Sequence, residues 1–240
     1  MIFRQLFDST SSTYTYLLAR RGGGAACLID PVVEHVTEYL QLIEELDLKL
    51  VYALDTHVHA DHVTALGELR DIVHCTTVMG EQTKAECVSA RVTDGERIDV
   101  DGLTLHAMYT PGHTDDSYSY RMADRVFTGD TLLIRGTGRT DFQNGDPYAQ
   151  YRSLFERLLK LPEETLVYPA HDYKGWTVSS IGEEIRNNPR LQVRSVEEYV
   201  RIMRALKLPD PKLMDIAVPA NLRCGKRRDG LAGGRDALQG

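Results

Sequence analysis

Three histidines and an aspartate lie within the stretch Thr-His-Val-His-Ala-Asp-His at positions 56–62. The candidate residues are His57, His59, Asp61 and His62. Neutral imidazole and carboxylate are ligands that suit Zn, Fe or Mn. A polar loop whose histidines only make hydrogen bonds is the simpler alternative. The spacing His-x-His-x-Asp-His directly after a strand-like run favours a metal site over that alternative.

The segments on either side of this motif predict how it is positioned. Residues 50–54 are a short apolar run with β-branched and aromatic side chains, which predicts a buried strand. After the motif, Val63, Leu66, Leu69 and Ile72 recur at helical spacing, and Asp61 stands where it can cap that helix. We therefore predict a strand-to-helix turn whose side chains converge on a cleft at the end of a sheet.

Three later segments carry ligands of the same kinds, each after an apolar, strand-like run. His113 lies in Pro-Gly-His-Thr, Asp130 ends Phe-Thr-Gly-Asp, and His171 lies in Pro-Ala-His-Asp. Asp30 ends a predicted strand over residues 25–29 and either orients a ligand histidine or is a simple turn residue before Pro31. Residues 131–145 are long, punctuated by glycine and without periodicity, which predicts an active-site loop.

The rest of the chain alternates strand and helix signals. Glycines 22–24 predict a hairpin tip, and Pro147 opens a helix. Further strands are predicted over residues 2–7, 13–18, 97–100, 103–109, 117–121, 125–128 and 165–168. Helices are predicted over residues 36–46, from about residue 180 onward, and over residues 195–206.

The metal motif resembles that of the metallo-β-lactamase superfamily. That superfamily supplies further ligands from a later Gly-His, an Asp and a final His, which His113, Asp130 and His171 match in order. The resemblance covers nearly the whole chain. It implies an α/β (α+β) fold, an αββα sandwich of two mixed β-sheets flanked by helices, with the metal at one edge.

Two chemistries of the superfamily fit these ligands. The hydrolases of the superfamily bind two metals side by side. The first would be held by His57, His59 and His113, the second would be held by Asp61, His62 and His171, and Asp130 would bridge the two. A hydroxide bound there would attack an ester, thioester or lactam carbonyl. Alternatively, one metal binds through His57, His113 and Asp130, the arrangement of non-haem Fe(II) oxygenases. Ligand types alone do not decide between the two.

Sequence blocks outside the metal motif separate these alternatives. Residues 131–143, 168–173, 188–191 and 217–225 resemble persulfide dioxygenases (sulfur dioxygenases) of the ethylmalonic-encephalopathy-protein type. Glyoxalase II shares the metal motif and the Gly138-Arg139 turn, but it usually has His-Glu-Tyr where this chain has His171-Asp172-Tyr173. The closer resemblance is therefore to persulfide dioxygenase, and a glyoxalase II-like dinuclear hydrolase of glutathione thioesters is the alternative. A non-catalytic binding protein is a third class, which the intact ligand set disfavours.

The resemblance implies a reaction and a role for each candidate residue. Glutathione persulfide would be oxidised by O₂ and water to sulfite and glutathione, as in sulfide catabolism. One Fe(II) per chain would be held by His57, His113 and Asp130. Arg139 and Tyr173 are candidates for holding glutathione. The alternatives are that Arg139 only forms a structural ion pair with Asp141 and that Tyr173 only packs against its neighbours. The residues expected to orient ligands or move protons are His59, Asp61, His62 and His171.

Composition limits the class of protein and its partners. At 240 residues and 42% hydrophobic content, one domain over residues 1–225 is expected, with a flexible tail over residues 226–240. The net charge of −7 without a basic stripe disfavours nucleic acid, and no apolar run approaches the ~20 residues of a membrane span. Four cysteines without a C-x-x-C pair and no signal or transit peptide predict reduced thiols in the cytoplasm. A homodimer is possible.

Overall fold

The strands form two six-stranded mixed sheets within residues 1–211 and 213–226, which a computed structural model of the chain describes. The first sheet has the order β1-β2-β3-β4-β5-β6, and β3 to β6 run parallel. Its strands are β1 (Ile2–Asp8), β2 (Thr13–Ala19), β3 (Ala25–Ile29), β4 (Lys49–Leu54), β5 (Thr76–Gly80) and β6 (Ala90–Val92).

The second sheet has the order β12-β11-β10-β9-β8-β7 and is antiparallel except where β10 pairs with β11. Its strands are β7 (Arg97–Val100), β8 (Leu103–Tyr109), β9 (Tyr118–Arg121), β10 (Arg125–Gly129), β11 (Leu166–Pro169) and β12 (Ser179–Ser180). The helices are α1 (Val36–Glu45), α2 (Leu66–Val73), α3 (Pro147–Arg152), α4 (Ile181–Asn187), α5 (Val196–Arg204) and α6 (Met214–Asn221).

Three large apolar layers hold most of these elements together, and a small fourth cluster packs α6. The central layer joins the two sheets and includes Tyr16, Leu54, Tyr120 and Phe127, all buried. A second layer packs α1 and α2 on the outer face of the first sheet, and a third packs α3, α4 and α5 on the outer face of the second. Burial of this apolar area is the main force that stacks the layers. The αββα sandwich predicted from the sequence is thereby confirmed.

Most predicted elements match the structure within one or two residues, and the hairpin between β2 and β3 lies at the glycine run. The predicted cap was wrong. Helix α2 begins at Leu66, and its N-cap residue Ala65 makes no side-chain cap hydrogen bond. The Asp61 carboxylate instead accepts hydrogen bonds from His62 and His171. The motif is therefore a longer loop between β4 and α2, not a tight strand-to-helix turn.

The prediction that all four cysteines are reduced was also wrong. Cys87 and Cys224 form a disulfide, while Cys27 and Cys75 are free and buried. The paired residues are 137 positions apart, so no local spacing in the sequence signals them. The bond attaches the segment after α6 to the loop between β5 and β6. Residues 227–240, most of the predicted tail, lie outside the described residues. No helix in the described part of the chain is long and apolar enough to cross a membrane.

Candidate metal centre

His57 follows β4 directly, and its ring is fixed from behind by two neighbours. Thr56 donates its hydroxyl to Asp30 Oδ2 at 3.1 Å, so its oxygen accepts from Nδ1 of His57 at 3.0 Å. The backbone N–H of Thr56 also donates to Asp30 Oδ1 at 2.7 Å. This sets the ring with its proton on Nδ1 and leaves the Nε2 lone pair for a metal. Burial, and then the neighbouring His59 and His113, hold the pKa of His57 well below its usual range, so the ring is neutral.

His113 is oriented in the same way by the loop after Asp130. Its Nδ1 donates to the backbone carbonyl of Arg139 at 2.7 Å, which leaves Nε2 free. The loop comes this close because residue 138 is glycine: a Cβ there would lie 2.3 Å from the Asp130 carbonyl oxygen and 2.7 Å from His113 Nδ1. A side chain at Gly138 would therefore displace either the ligand-bearing turn or the histidine ring.

Asp130 follows β10 and is held by His171, which follows the neighbouring strand β11. Nδ1 of His171 donates to Asp130 Oδ1 at 2.7 Å, while Oδ2 lies 3.6 Å from His113 Nε2. Burial alone would raise the pKa of Asp130, but His171, His113 and His57 together hold it well below its usual range. Asp130 is therefore an ionised carboxylate with one oxygen free for a metal.

The three free donor atoms converge. His57, His113 and Asp130 each offer one ligand atom, and these atoms lie within 4.8 Å of one another. Two imidazoles and one carboxylate on one side of a site leave the opposite side open. The arrangement can hold a single divalent cation while leaving positions for other ligands.

A second group of ligand atoms lies beside the first and is partly occupied by its own hydrogen bonds. His59, Asp61 and His62 also bring ligand atoms within 4.8 Å of one another. Asp61 Oδ2, however, accepts from His62 Nδ1 at 2.8 Å and from His171 Nε2 at 2.7 Å. His171 consequently has both ring nitrogens engaged by carboxylates, which on balance raises its pKa well above the usual range although burial opposes this.

Two nitrogens in this second group have no hydrogen-bond partner among the described residues. They are Nδ1 of His59 and Nε2 of His62, both buried. The other nitrogen of His59 donates to Asp30 Oδ1 at 3.1 Å. Asp30 therefore orients two residues of the motif loop, Thr56 and His59. This contact agrees with the prediction that Asp30 orients a motif histidine. A buried nitrogen without a partner is energetically costly, and a bound cation or water satisfies it.

Comparison with known proteins identifies the family. The metallo-β-lactamase superfamily model matches residues 9–87 and 88–171. Persulfide dioxygenase ETHE1, mitochondrial, of Homo sapiens is 46% identical over 94% of this chain and 89% of its own length. A crystal structure of ETHE1 from Myxococcus xanthus is 56% identical, with a TM-score of 0.92 over 94% of this chain and 100% of that chain. The chain belongs to the persulfide dioxygenase family.

The same fold also accommodates two metals in a more distant relative. A protein solved in a di-iron-bound form is 26% identical, with a TM-score of 0.66 over 78% of this chain and 98% of that chain. The fold alone therefore does not fix the number of metals. In this member of the persulfide dioxygenase family, the feature that bears on that number is the set of hydrogen bonds that Asp61 accepts.

Of the two residues predicted to hold glutathione, Arg139 already has hydrogen-bond partners at all three of its guanidinium nitrogens. Its Nε and one terminal nitrogen donate to both oxygens of Asp141, at 2.7 and 2.8 Å. The other terminal nitrogen donates to the Pro209 carbonyl at 2.7 Å, and the guanidinium lies over the Phe142 ring at 4.2 Å. This is the structural pairing considered from the sequence. Reading of glutathione by Arg139 stays a prediction.

Tyr173 lies at the mouth of the site. Its side chain is 72% exposed, and its ring stacks parallel to the His171 ring with centroids 6.1 Å apart. An exposed aromatic ring beside the metal centre is available for contact with a substrate. Its role in this persulfide dioxygenase family member is likewise a prediction that the described contacts leave open.

Two residues at the site were not foreseen. Thr13, at the start of β2, is fully buried and contacts Asp61, His62 and His171 through its hydroxyl. Asn221, at the end of α6, donates to the carbonyls of His59 and His62 at 2.9 Å each. Asn221 lies in a block that carried the family resemblance, so a signal existed for it, but none marked Thr13.

Proposed function

We propose that this chain is a mononuclear Fe(II) dioxygenase that oxidises glutathione persulfide with O₂ and water to sulfite and glutathione. The observation that supports a single metal is the contrast between the two groups of ligands. His57, His113 and Asp130 each have one atom fixed and one atom free. Asp61 and His171, which a second metal needs, hydrogen-bond to each other.

The donor set of the first group fits Fe(II). Two neutral imidazole nitrogens and one carboxylate oxygen form the facial set that non-haem Fe(II) oxygenases use. An Fe(II) held by His57, His113 and Asp130 would supply the electron transfer between the persulfide sulfur and dioxygen. The chain itself contributes the orientation of the ligands and the exclusion of bulk water, since His57 is buried and Asp130 is nearly so.

Each proposed ligand is fixed by a different element, which keeps the set in place without a metal. Asp30, through Thr56, fixes the His57 ring, and the backbone at Arg139 fixes His113. His171 fixes Asp130 and keeps it ionised. Such partners of metal ligands typically change metal affinity or activity by roughly 10- to 100-fold when they are removed.

The remaining features of the function rest on the sequence resemblance and on the relatives. Glutathione as the carrier of the persulfide, with Tyr173 and Arg139 at the mouth, belongs to this proposal. So do a single catalytic domain over residues 1–225, a possible homodimer and a cytoplasmic location. The disulfide between Cys87 and Cys224 removes one of the supports for that location, and the human relative is named mitochondrial.

A dinuclear hydrolase of glutathione thioesters ranks second. It is favoured by one specific observation, the two buried nitrogens of His59 and His62 that lack partners. The family assignment and the Asp61–His171 hydrogen bond favour the dioxygenase over it.

Metal analysis of protein purified without oxygen tests the proposal. We expect about one iron per chain, together with oxygen uptake on addition of glutathione persulfide. Two metals per chain with hydrolysis of S-lactoylglutathione would replace the proposal by the hydrolase.

A further inference from the structure

A line of hydrogen-bonding groups leads from the metal centre to the surface through the turn between β1 and β2. Thr13 Oγ1 donates to Asp61 Oδ2 at 3.0 Å and lies 2.6 Å from Ser11 Oγ. Ser11 Oγ lies 2.5 Å from Asp8 Oδ2, and Asp8 Oδ1 lies 3.1 Å from Nε2 of His35. Every step is within hydrogen-bond distance, so the line is continuous from Asp61 to His35.

The two hydroxyls in this line can be oriented in either direction. In one orientation Ser11 donates to Asp8 and Thr13 donates to Ser11; in the other Ser11 donates to Thr13 and Thr13 donates to Asp61. A hydroxyl has one proton to donate and two lone pairs that accept. When each hydroxyl accepts a proton on its inner side and gives its own proton to its outer neighbour, the pair changes from the first orientation to the second and one proton has moved outward. Rotation of the two hydroxyls then restores the first orientation.

The two ends of the line have opposite environments. Thr13 is fully buried, whereas the side chain of His35 is 26% exposed and that of its partner Glu38 is 73% exposed. Asp8, His35 and Glu38 line a surface cleft of about 280 Å³, which has room for several waters. The line therefore connects a dry interior to solvent.

The reaction proposed above has protons to dispose of, and the present inference rests on it. A persulfide R–S–SH, O₂ and H₂O give R–SH, SO₃²⁻ and two H⁺. The S–S bond breaks, the terminal sulfur gains three oxygens and loses five electrons, the inner sulfur gains one electron, and O₂ takes up the other four. The two protons must leave a buried site in every turnover.

We propose that Thr13, Ser11, Asp8 and His35 form the path by which protons leave the metal centre. A proton leaving the metal centre passes to Thr13 Oγ1 as Thr13 gives its own proton to Ser11 and Ser11 gives its own to Asp8 Oδ2. Asp8 then turns its carboxyl group and gives this same proton to Nε2 of the neutral His35 ring, which passes a proton to Glu38 or to water in the cleft. These residues move protons and do not touch the substrate.

The titratable groups that face His35 suit its place at the outer end. They are Asp8 at the end of β1 and Glu38 and Tyr39 on α1. Burial alone would lower the pKa of His35, but the hydrogen bonds to Asp8 and Glu38 raise it on balance. His35 therefore accepts a proton over a wider pH range than a free histidine does.

Substitutions along the line test the inference in the iron-loaded full chain. Thr13→Val removes the hydroxyl at nearly constant volume, Thr13→Ser restores it, and Ser11→Ala breaks the next step. Thr10→Val is the matched control, because Thr10 is exposed in the same turn. We expect Thr13→Val and Ser11→Ala to lower kcat about tenfold or more at unchanged KM and iron content, since a positioned proton transfer contributes roughly 10²–10⁴-fold. Thr13→Ser should recover most of the kcat that Thr13→Val loses, and Thr10→Val should behave as wild type.

The outer end is tested separately. His35→Ala should lower kcat, and added imidazole should restore it in that variant but not in Thr13→Val, whose block lies inside the protein. In the metal-free chain, NMR titration should show the His35 pKa falling on Asp8→Asn, which tests the contact without any turnover.

The outcomes separate this path from the function itself. If the wild type takes up no oxygen with persulfide, the proposed function is overturned, and the path is overturned with it as the proton exit of that reaction. An active wild type whose Ser11→Ala and His35→Ala variants keep full kcat and the wild-type solvent isotope effect would overturn the path alone. If Thr13→Val loses iron, the path is tested by Ser11→Ala and His35→Ala alone, because neither Ser11 nor His35 contacts a proposed metal ligand.

Discussion

Nδ1 of His171 lies 2.7 Å from Oδ1 of Asp130, although the two residues are 41 positions apart in the sequence. Strands β10 and β11 run parallel side by side, so the residues that follow them meet at the same edge of the second sheet. His171 thereby keeps one carboxylate oxygen occupied and directs the other toward His57 and His113. The metal centre depends on this pairing of strands as much as on the histidine motif.

The first prediction concerns the proposed ligands. His113→Ala and Asp130→Ala should each empty the iron site and abolish oxygen uptake with glutathione persulfide, because each removes one of three converging donors. His106→Ala, on the exposed side of β8, is the control and should keep both. Iron content is measured by elemental analysis of protein purified without oxygen. A variant with near-normal iron and activity would remove its residue from the ligand set.

A matched pair of substitutions tests for a single metal. His171→Ala and His62→Ala both remove an imidazole that hydrogen-bonds to Asp61, but only His171 also contacts Asp130. His171→Ala should lower iron affinity or turnover by roughly 10- to 100-fold. His62→Ala should keep most of the iron, though turnover slows. Loss of half of a two-metal complement in His62→Ala would contradict the mononuclear site.

Sequence reasoning located the proposed ligands because each follows a strand-like run, and residue types next to strand ends are visible in a single sequence. It misplaced Asp61 as a helix cap, since the competing partner His171 is 110 positions away. Thr13 carried no signal, because its contacts depend on how β2 packs against the end of β11. The disulfide was missed for the same reason, as its cysteines meet only in the folded chain.

Substitutions of Arg139 and of its ion-pair partner Asp141 distinguish binding of glutathione from stabilisation of the loop. We expect Arg139→Ala to raise KM for glutathione persulfide roughly 10- to 100-fold, from the ~1.5–3 kcal/mol of a lost hydrogen bond to a charged group. Asp141→Asn weakens the ion pair and leaves the guanidinium available, so KM should not rise. Steady-state oxygen uptake measures both. Equal increases in the two variants, or loss of iron, would show that the pair stabilises the loop that holds His113.

The disulfide gives a prediction about stability. Cys87→Ser should lower the free energy of unfolding by about 2–4 kcal/mol, because the bond closes a long loop in the unfolded chain. Urea unfolding measures the change. A reductant should bring the wild type to the level of the variant and leave the variant itself unchanged. Four reactive thiols in the denatured, unreduced wild type would contradict the pairing.

Oxygen uptake measured against product tests the central claim most directly. Iron-loaded protein, given glutathione persulfide in a closed chamber, should consume one O₂ for each sulfite and each glutathione that appear. Metal-free protein should consume none. Absence of oxygen uptake by the iron-loaded chain, together with oxygen-independent release of glutathione from a thioester, would contradict the dioxygenase and establish the hydrolase in its place.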